Sequence, residues 1–162
     1  MRLEESLSPR PRRVYVLAHP IEPLRRNALE TVVEGVRPRV GLEAFNVGWF
    51  HAGEDGAGGL TAAETLPMMA SERLVVITHL DEGTNSFFEG LLAYLERPSD
   101  TTVLVLTGPG FPKVVKGTKR WSQLVDKALP AESWTLDRKA TLDLRAFAEG
   151  VARAEGKGID AT

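Results

Sequence analysis

Short apolar runs recur along this chain, separated by segments with helical periodicity, and that alternation limits the fold more than any other feature. Val14-Tyr15-Val16-Leu17, Leu74 to Ile77 and Thr102 to Leu106 are unbroken apolar or β-branched stretches. A strand with one wet face alternates polar and apolar residues. An unbroken run is buried on both faces, as in a parallel sheet covered by helices. Leu42 to Val47 and Ser133 to Leu136 read as two further strands. A helix is expected from about Glu22, where Pro23 suits the first turn, with Leu24, Ala28, Leu29, Val32, Val33 and Val36 on one face. Pro38 lies just past its end. Another starts at Asn85 or Ser86 as N-cap, carries Phe87, Phe88, Leu91, Leu92 and Leu95, and stops at Pro98. Trp121, Leu124, Val125, Ala128 and Leu129 mark a third. Asp143 caps a last one bearing Leu144, Phe147, Ala148 and Val151, which closes near Gly156. The predicted fold class is α/β, a five-stranded mostly parallel sheet with helices on both faces.

The segment Gly48 to Gly59 holds Gly53, Gly56, Gly58 and Gly59 and is expected to form a mobile loop. Thr61 and Glu64 have capping-box spacing, which predicts a short helix starting there and running toward Met69. The stretch "TLPMMASERLVVITHL" then changes character halfway. Its second half is the third strand, while its first half ends in the soft apolar pair Met68-Met69. Periodicity alone leaves that pair open between core filler and exposed anchor. Residues 1–12 are polar, with Pro9, Pro11 and basic neighbours, and are expected to fray as a flexible leader.

Composition removes several function classes. The 162 residues carry a formal net charge of −2, which argues against coating nucleic acid by bulk charge. The absence of cysteine excludes disulfides, thiolate metal sites and a cysteine nucleophile. No apolar run reaches membrane-spanning length and no signal-peptide pattern opens the chain, so a cytoplasmic protein is expected.

Motifs for phosphate chemistry are sought after the first strand, where backbone N–H groups and a helix N-terminus cradle the anion. Here that loop is Ala18 to Arg26, "AHPIEPLRR". It has no glycine and no Lys followed by Ser or Thr. Pro20 and Pro23 each delete an N–H, and Glu22 places negative charge at the helix start. Lys116-Gly117-Thr118-Lys119 and Gly156-Lys157-Gly158 contain the right letters without the spacing. Asp81 and Glu82, beyond the third strand, read as a solvated turn. His19, His51 and His79 show no paired metal-ligand spacing, and no Gly-x-Ser-x-Gly elbow is present. No catalytic residue, cofactor or metal is therefore expected.

The order of "VYVLAHPIEPLRRNALETVVEGV", "FNV", "AAETLPMMASERLVVITHLDE" and "LLAYLERPSDTTVLVLTG" resembles the delta subunit of the bacterial DNA polymerase III clamp loader, over roughly Val14 to Leu136. The resemblance implies a P-loop NTPase/RecA-like first domain of AAA+ type that hydrolyses no ATP. The organisation it suggests is a leader at 1–12, a clamp-binding domain at 13–138 and the first helix of a helical lid at 139–162. It also implies what the domain does. A delta subunit opens the ring-shaped sliding clamp by inserting a helix with two adjacent large apolar residues into a pocket on the ring. Carried across, those residues are Met68 and Met69, with Leu66 and Pro67 supporting. The family commonly has a Leu-Phe-like pair, so Met-Met is a departure. Methionine packs into irregular grooves, and two such side chains supply roughly 3–6 kcal/mol on burial before ordering costs. Lys113, Lys116, Lys119 and Arg120 are candidate contacts to DNA phosphate, in a family where DNA is met within the assembled loader.

The implied partners are the sliding (beta) clamp and, in a full-length protein, the tau/gamma and delta prime subunits. The rest of the lid and the collar domain of the family do not occur in these residues, which predicts that this chain does not join a full loader stably. Two other readings stay open on the sequence. One is an ATPase of the same fold with an atypical phosphate loop. The other is a free-standing adapter with a buried methionine pair.

Overall fold

Every residue of Val14–Ala18 is buried in the computed structural model, which describes residues 1–113, 115, 116 and 119–141. This strand, β1, is where the unbroken run led. The elements before and after it are α1 (Leu3–Ser6), α2 (Glu22–Val36), α3 (Glu43–Asn46), β2 (Val47–His51), α4 (Gly56–Glu64), β3 (Arg73–Thr78), α5 (Asn85–Glu96) and β4 (Thr102–Gly108). The two-residue strands β5 (Val115–Lys116) and β6 (Lys119–Arg120) form an antiparallel pair, followed by α6 (Trp121–Ala128) and β7 (Ser133–Thr135). The main sheet has five strands in the order β2-β3-β4-β1-β7, all parallel. The predicted fold class is therefore the observed one.

Alternation along each strand builds two cores. Val14, Val16, Val75, Ile77, Leu104 and Leu106 point to one face, where α4, α5 and α6 cover them with Leu60, Phe87, Phe88, Leu91, Trp121 and Val125. Tyr15, Leu17, Leu74, Val76, Val103 and Val105 point to the other, covered by Ala28, Val32 and Val36 of α2. Phe88 stacks on Trp121 with ring centroids 5.2 Å apart. Each of these large side chains contributes about 1.5–3 kcal/mol on burial, so the double-sided sheet is the main source of stability.

Five expectations are corrected. Leu42 to Val47 is not a strand: residues 43–46 make one helical turn, and the edge strand runs Val47–His51. The glycine-rich segment is not a mobile loop, because it supplies all but the first residue of β2 and the first four residues of α4. Its glycines allow close packing: a Cβ on Gly56 would lie 2.5 Å from Phe87 Cδ1. Thr61 is thus inside α4 and donates to the Ala57 carbonyl, and the helix ends at Glu64, short of the methionines. The N-cap of α5 is Thr84, whose hydroxyl accepts the Phe87 N–H at 3.0 Å. The leader is packed as well: the Tyr15 hydroxyl accepts the Arg12 N–H at 3.0 Å and donates to the Ser6 carbonyl at 3.1 Å. The helix expected at Asp143 to Gly156, and Gly156-Lys157-Gly158, lie outside the described residues.

Candidate partner-docking site

Residues 65–72 carry the chain from the end of α4 to the start of β3, and four apolar residues sit in the middle of this connection. Met69 is 94% exposed, Met68 54% and Leu66 72%, while Pro67 is half-buried. The core-filler reading of the pair is thereby removed: both side chains reach solvent. The pair rides on a loop and not on a helix. Met69 has φ +55°, a left-handed backbone that costs a non-glycine residue of this size about 1–3 kcal/mol.

Side chains from outside the loop fix its path. The buried Asn46 at the end of α3 donates from Nδ2 to the Val40 carbonyl at 2.9 Å and the Met68 carbonyl at 2.8 Å. Its Oδ1 accepts the Met68 N–H at 2.7 Å. Arg73 donates from Nε to the Thr65 carbonyl at 3.0 Å, from Nη2 to the Leu66 carbonyl at 3.1 Å and from Nη1 to the Phe45 carbonyl at 3.0 Å. Ser71 Oγ and the Glu72 N–H both donate to the Arg39 carbonyl. Gly41, itself at φ +58°, lies against this loop: a Cβ there would sit 3.3 Å from that of Ala70. Leu42, Phe45 and Trp49 on the neighbouring α3–β2 segment are also more than half exposed. None of Asn46, Arg73, Phe45 or Trp49 was singled out by the sequence. The visible signal was slight, a polar residue in "FNV" and a basic one opening β3.

The position of a phosphate loop is built differently. The His19 N–H donates to the Gly108 carbonyl at 3.0 Å, and the Ile21 N–H donates to His19 Nδ1 at 3.0 Å. With Pro20 and Pro23 lacking donors, at most Glu22 and Leu24 are left in this turn to face an anion. Beside it, at the carboxyl ends of β1 and β4, lies a cleft of about 520 Å³ lined by Ala18, Pro20, Phe111, Lys113, Arg120 and Arg138. The Arg138 guanidinium sits 5.9 Å from the centroid of the Phe111 ring. Two of the candidate phosphate contacts, Lys113 and Arg120, thus line one cleft. Lys119 is exposed on β6, and Lys116 pairs with it in register, its side chain lying outside the described residues.

The fold also gathers His51, His79 and Glu82, whose candidate ligand atoms lie within 4.8 Å of one another. Sequence spacing offered no hint of this. The chemistry is poor for a metal. The imidazoles stack with centroids 4.1 Å apart and planes at 14°, so their in-plane lone pairs run side by side instead of converging. His51 Nδ1 accepts the Gly53 N–H at 3.0 Å, which puts the proton of the neutral ring on Nε2, facing Glu82 Oε2 at 3.5 Å. Asp81, expected in a solvated turn, has Oδ1 buried without a hydrogen-bond partner. Among the described residues, no helix is long and apolar enough to cross a membrane.

A family model described as DNA polymerase III, delta subunit, matches residues 37–131. No curated protein matches the chain. Among solved structures it is similar to the Bacillus subtilis DNA clamp loader delta protein, at 22% identity and a TM-score of 0.63, covering 96% of this chain and 48% of that one. It is similar too to a DNA polymerase III, gamma subunit-related protein from Thermotoga maritima, at 14% identity and a TM-score of 0.59, covering 89% of this chain and 47% of the other. The chain spans about half the length of these relatives, and at such identities they speak for the fold.

Proposed function

Since this chain belongs to the DNA polymerase III delta subunit family, we propose that it binds the sliding clamp through Met68 and Met69, with Leu66 and Pro67 beside them, and springs one interface of the ring. The family is a non-catalytic component of the clamp loader, and we read this chain as a binding module without a reaction of its own. One observation carries the reading: two adjacent large apolar side chains stand in solvent on a loop held by side chains from its surroundings. An exposed pair of that kind is the anchor type that fills a pocket on a partner.

Three further assignments go with it. Residues 13–138 act as the clamp-binding domain, and 139–162 begin a lid. The tau/gamma and delta prime subunits are partners of the longer protein, in the cytoplasm. Lys113, Lys116, Lys119 and Arg120 approach DNA phosphate only within the assembled loader. The turn after β1, poor in free N–H groups, supports a subunit that leaves ATP to its partners.

The test is a titration of the chain against the sliding clamp of its own organism. Met68→Ala combined with Met69→Ala is expected to weaken binding at least 100-fold, since two hot-spot truncations of about 2 kcal/mol or more each are removed together. Unchanged affinity would end the anchor assignment. Heat on titrating magnesium and ATP into the chain would favour the ATPase reading instead.

A further inference from the structure

The Met68–Met69 loop does not hold its own shape. Of the atoms that fix it, the tightest set belongs to one side chain outside the loop. We propose that Asn46 is the positioning residue of the docking site: it sets the methionine pair in its outward pose before a partner arrives, with Arg73 fixing the chain just ahead. This rests on the clamp-docking reading above.

The argument begins with what an amide can do. Asn46 Oδ1 accepts the Met68 N–H at 2.7 Å, and Nδ2 donates to the Met68 carbonyl at 2.8 Å. One side chain therefore satisfies both backbone groups of Met68, as a neighbouring strand would. The second Nδ2 hydrogen goes to the Val40 carbonyl at 2.9 Å, so the amide is itself held at its outer end. Asn46 is fully buried and sits at the joint between α3 and β2, which anchors it to the sheet. Other side chains of this size lack the combination of one acceptor and two donors. Aspartate has no donor for the two carbonyls, and alanine removes the side-chain partner of three backbone groups, the buried Val40 carbonyl and the part-buried N–H and carbonyl of Met68. Fixing both sides of Met68 also fixes the entry to Met69. That residue stands at φ +55°, a conformation a free loop leaves readily, with 94% of its surface in water. Arg73 closes the other end through Thr65, Leu66 and Phe45. A loop ordered in advance spares the ordering cost at binding, which for flexible methionines is where affinity is most easily lost.

The experiment is a double-mutant cycle read by clamp affinity at a temperature well below melting, with amide hydrogen exchange on the free chain. Asn46→Ala is expected to lower clamp affinity about tenfold, the size of the ordering cost for one or two residues. The Met68 amide should exchange faster while those of Leu74 to Ile77 keep their protection. In the background of Met68→Ala with Met69→Ala, Asn46→Ala should then change clamp affinity less than twofold, because nothing is left to position. A residue that merely supports the fold would weaken binding equally in both backgrounds, and that result overturns the proposal. So does a freely exchanging Met68 amide with undiminished affinity. Should Asn46→Ala unfold, Arg73→Lys at the half-exposed site supplies the same cycle, keeping the charge and shedding hydrogen bonds to the loop. Failure of the clamp-docking reading itself looks different: the methionine variant alone would then bind as the parent does.

Discussion

At the scale of single residues, burial of charge decides most. Glu72, three residues after Met69, is 1% exposed and Arg13 3%. Arg13 meets the carboxylate with Nη1 to Oε2 at 2.8 Å and Nη2 to Oε1 at 3.2 Å, and Arg10 adds Nε to Oε1 at 3.2 Å. The same Arg13 guanidinium donates to the carbonyls of Pro11, Asp100 and Thr102, so one cation ties the first twelve residues to the starts of β3 and β4. Whether such a pair stabilises relative to an apolar replacement depends on desolvation, but breaking it has a definite sign. Glu72→Ala takes the close, buried carboxylate from Arg13, leaving the exposed Glu132 carboxylate at 4.0 Å from its Nε, and is expected to cost about 3–5 kcal/mol in urea unfolding. Glu72→Gln keeps an acceptor for Arg13 and should cost less. A loss below about 1 kcal/mol for Glu72→Ala would mean that water reaches the pair. The same contacts explain why a polar leader does not fray: Arg13 and Tyr15 recruit it, and their partners lie far along the chain or on the strand itself.

At the scale of elements, what could be read from the sequence depended on whether a pattern was local. β1, β3, β4, α2 and α5 were legible because unbroken runs and one-sided stripes are written in consecutive residues. The methionine pair was legible as an oddity, and the family resemblance supplied the role proposed for it. The brace formed by Asn46 and Arg73 was not, because each reaches across from another element. The region from 42 to 64 failed for a different reason. Four glycines read as flexibility, whereas Gly59 lets α4 approach Phe50 and Ile77 of the sheet and Gly56 lets it approach Phe87 of α5. Two substitutions separate those meanings. Helix propensity favours alanine over glycine by about 1 kcal/mol. At Gly58 a new Cβ would find its nearest neighbour, Phe50 Cε1, at 3.7 Å, an ordinary contact. Gly58→Ala should therefore raise stability by up to about 1 kcal/mol. At Gly56 the Cβ would fall 2.5 Å from Phe87 Cδ1, in a ring only 3% exposed, so overpacking wins. Gly56→Ala should cost about 1–3 kcal/mol. Thermal unfolding of both variants checks the pair, and destabilisation at both positions would return α4 to the status of a loop.

Across the whole molecule, the parallel sheet separates the two surfaces that matter. The methionine loop leads into β3 and Asn46 leads into β2, so the proposed docking surface lies at the amino edge of the sheet. The basic cleft lies where β1 and β4 end, at the carboxyl edge, the side on which α/β folds ordinarily take their ligands. Strands of this length put roughly 17 Å between the edges. That distance exceeds the range over which substitutions usually couple, and is about two Debye lengths at physiological salt. Clamp binding through two thioethers should accordingly vary little with ionic strength. Lys113→Ala with Arg120→Ala should leave clamp affinity within about twofold of the parent, and combined with the methionine changes the effects should add to within about 0.5 kcal/mol. Binding isotherms against the clamp at low and high salt read all three expectations. A steep salt slope that disappears in the Lys113→Ala, Arg120→Ala variant would place the clamp at the carboxyl edge, where the basic cleft, and not the methionine loop, would be the docking surface.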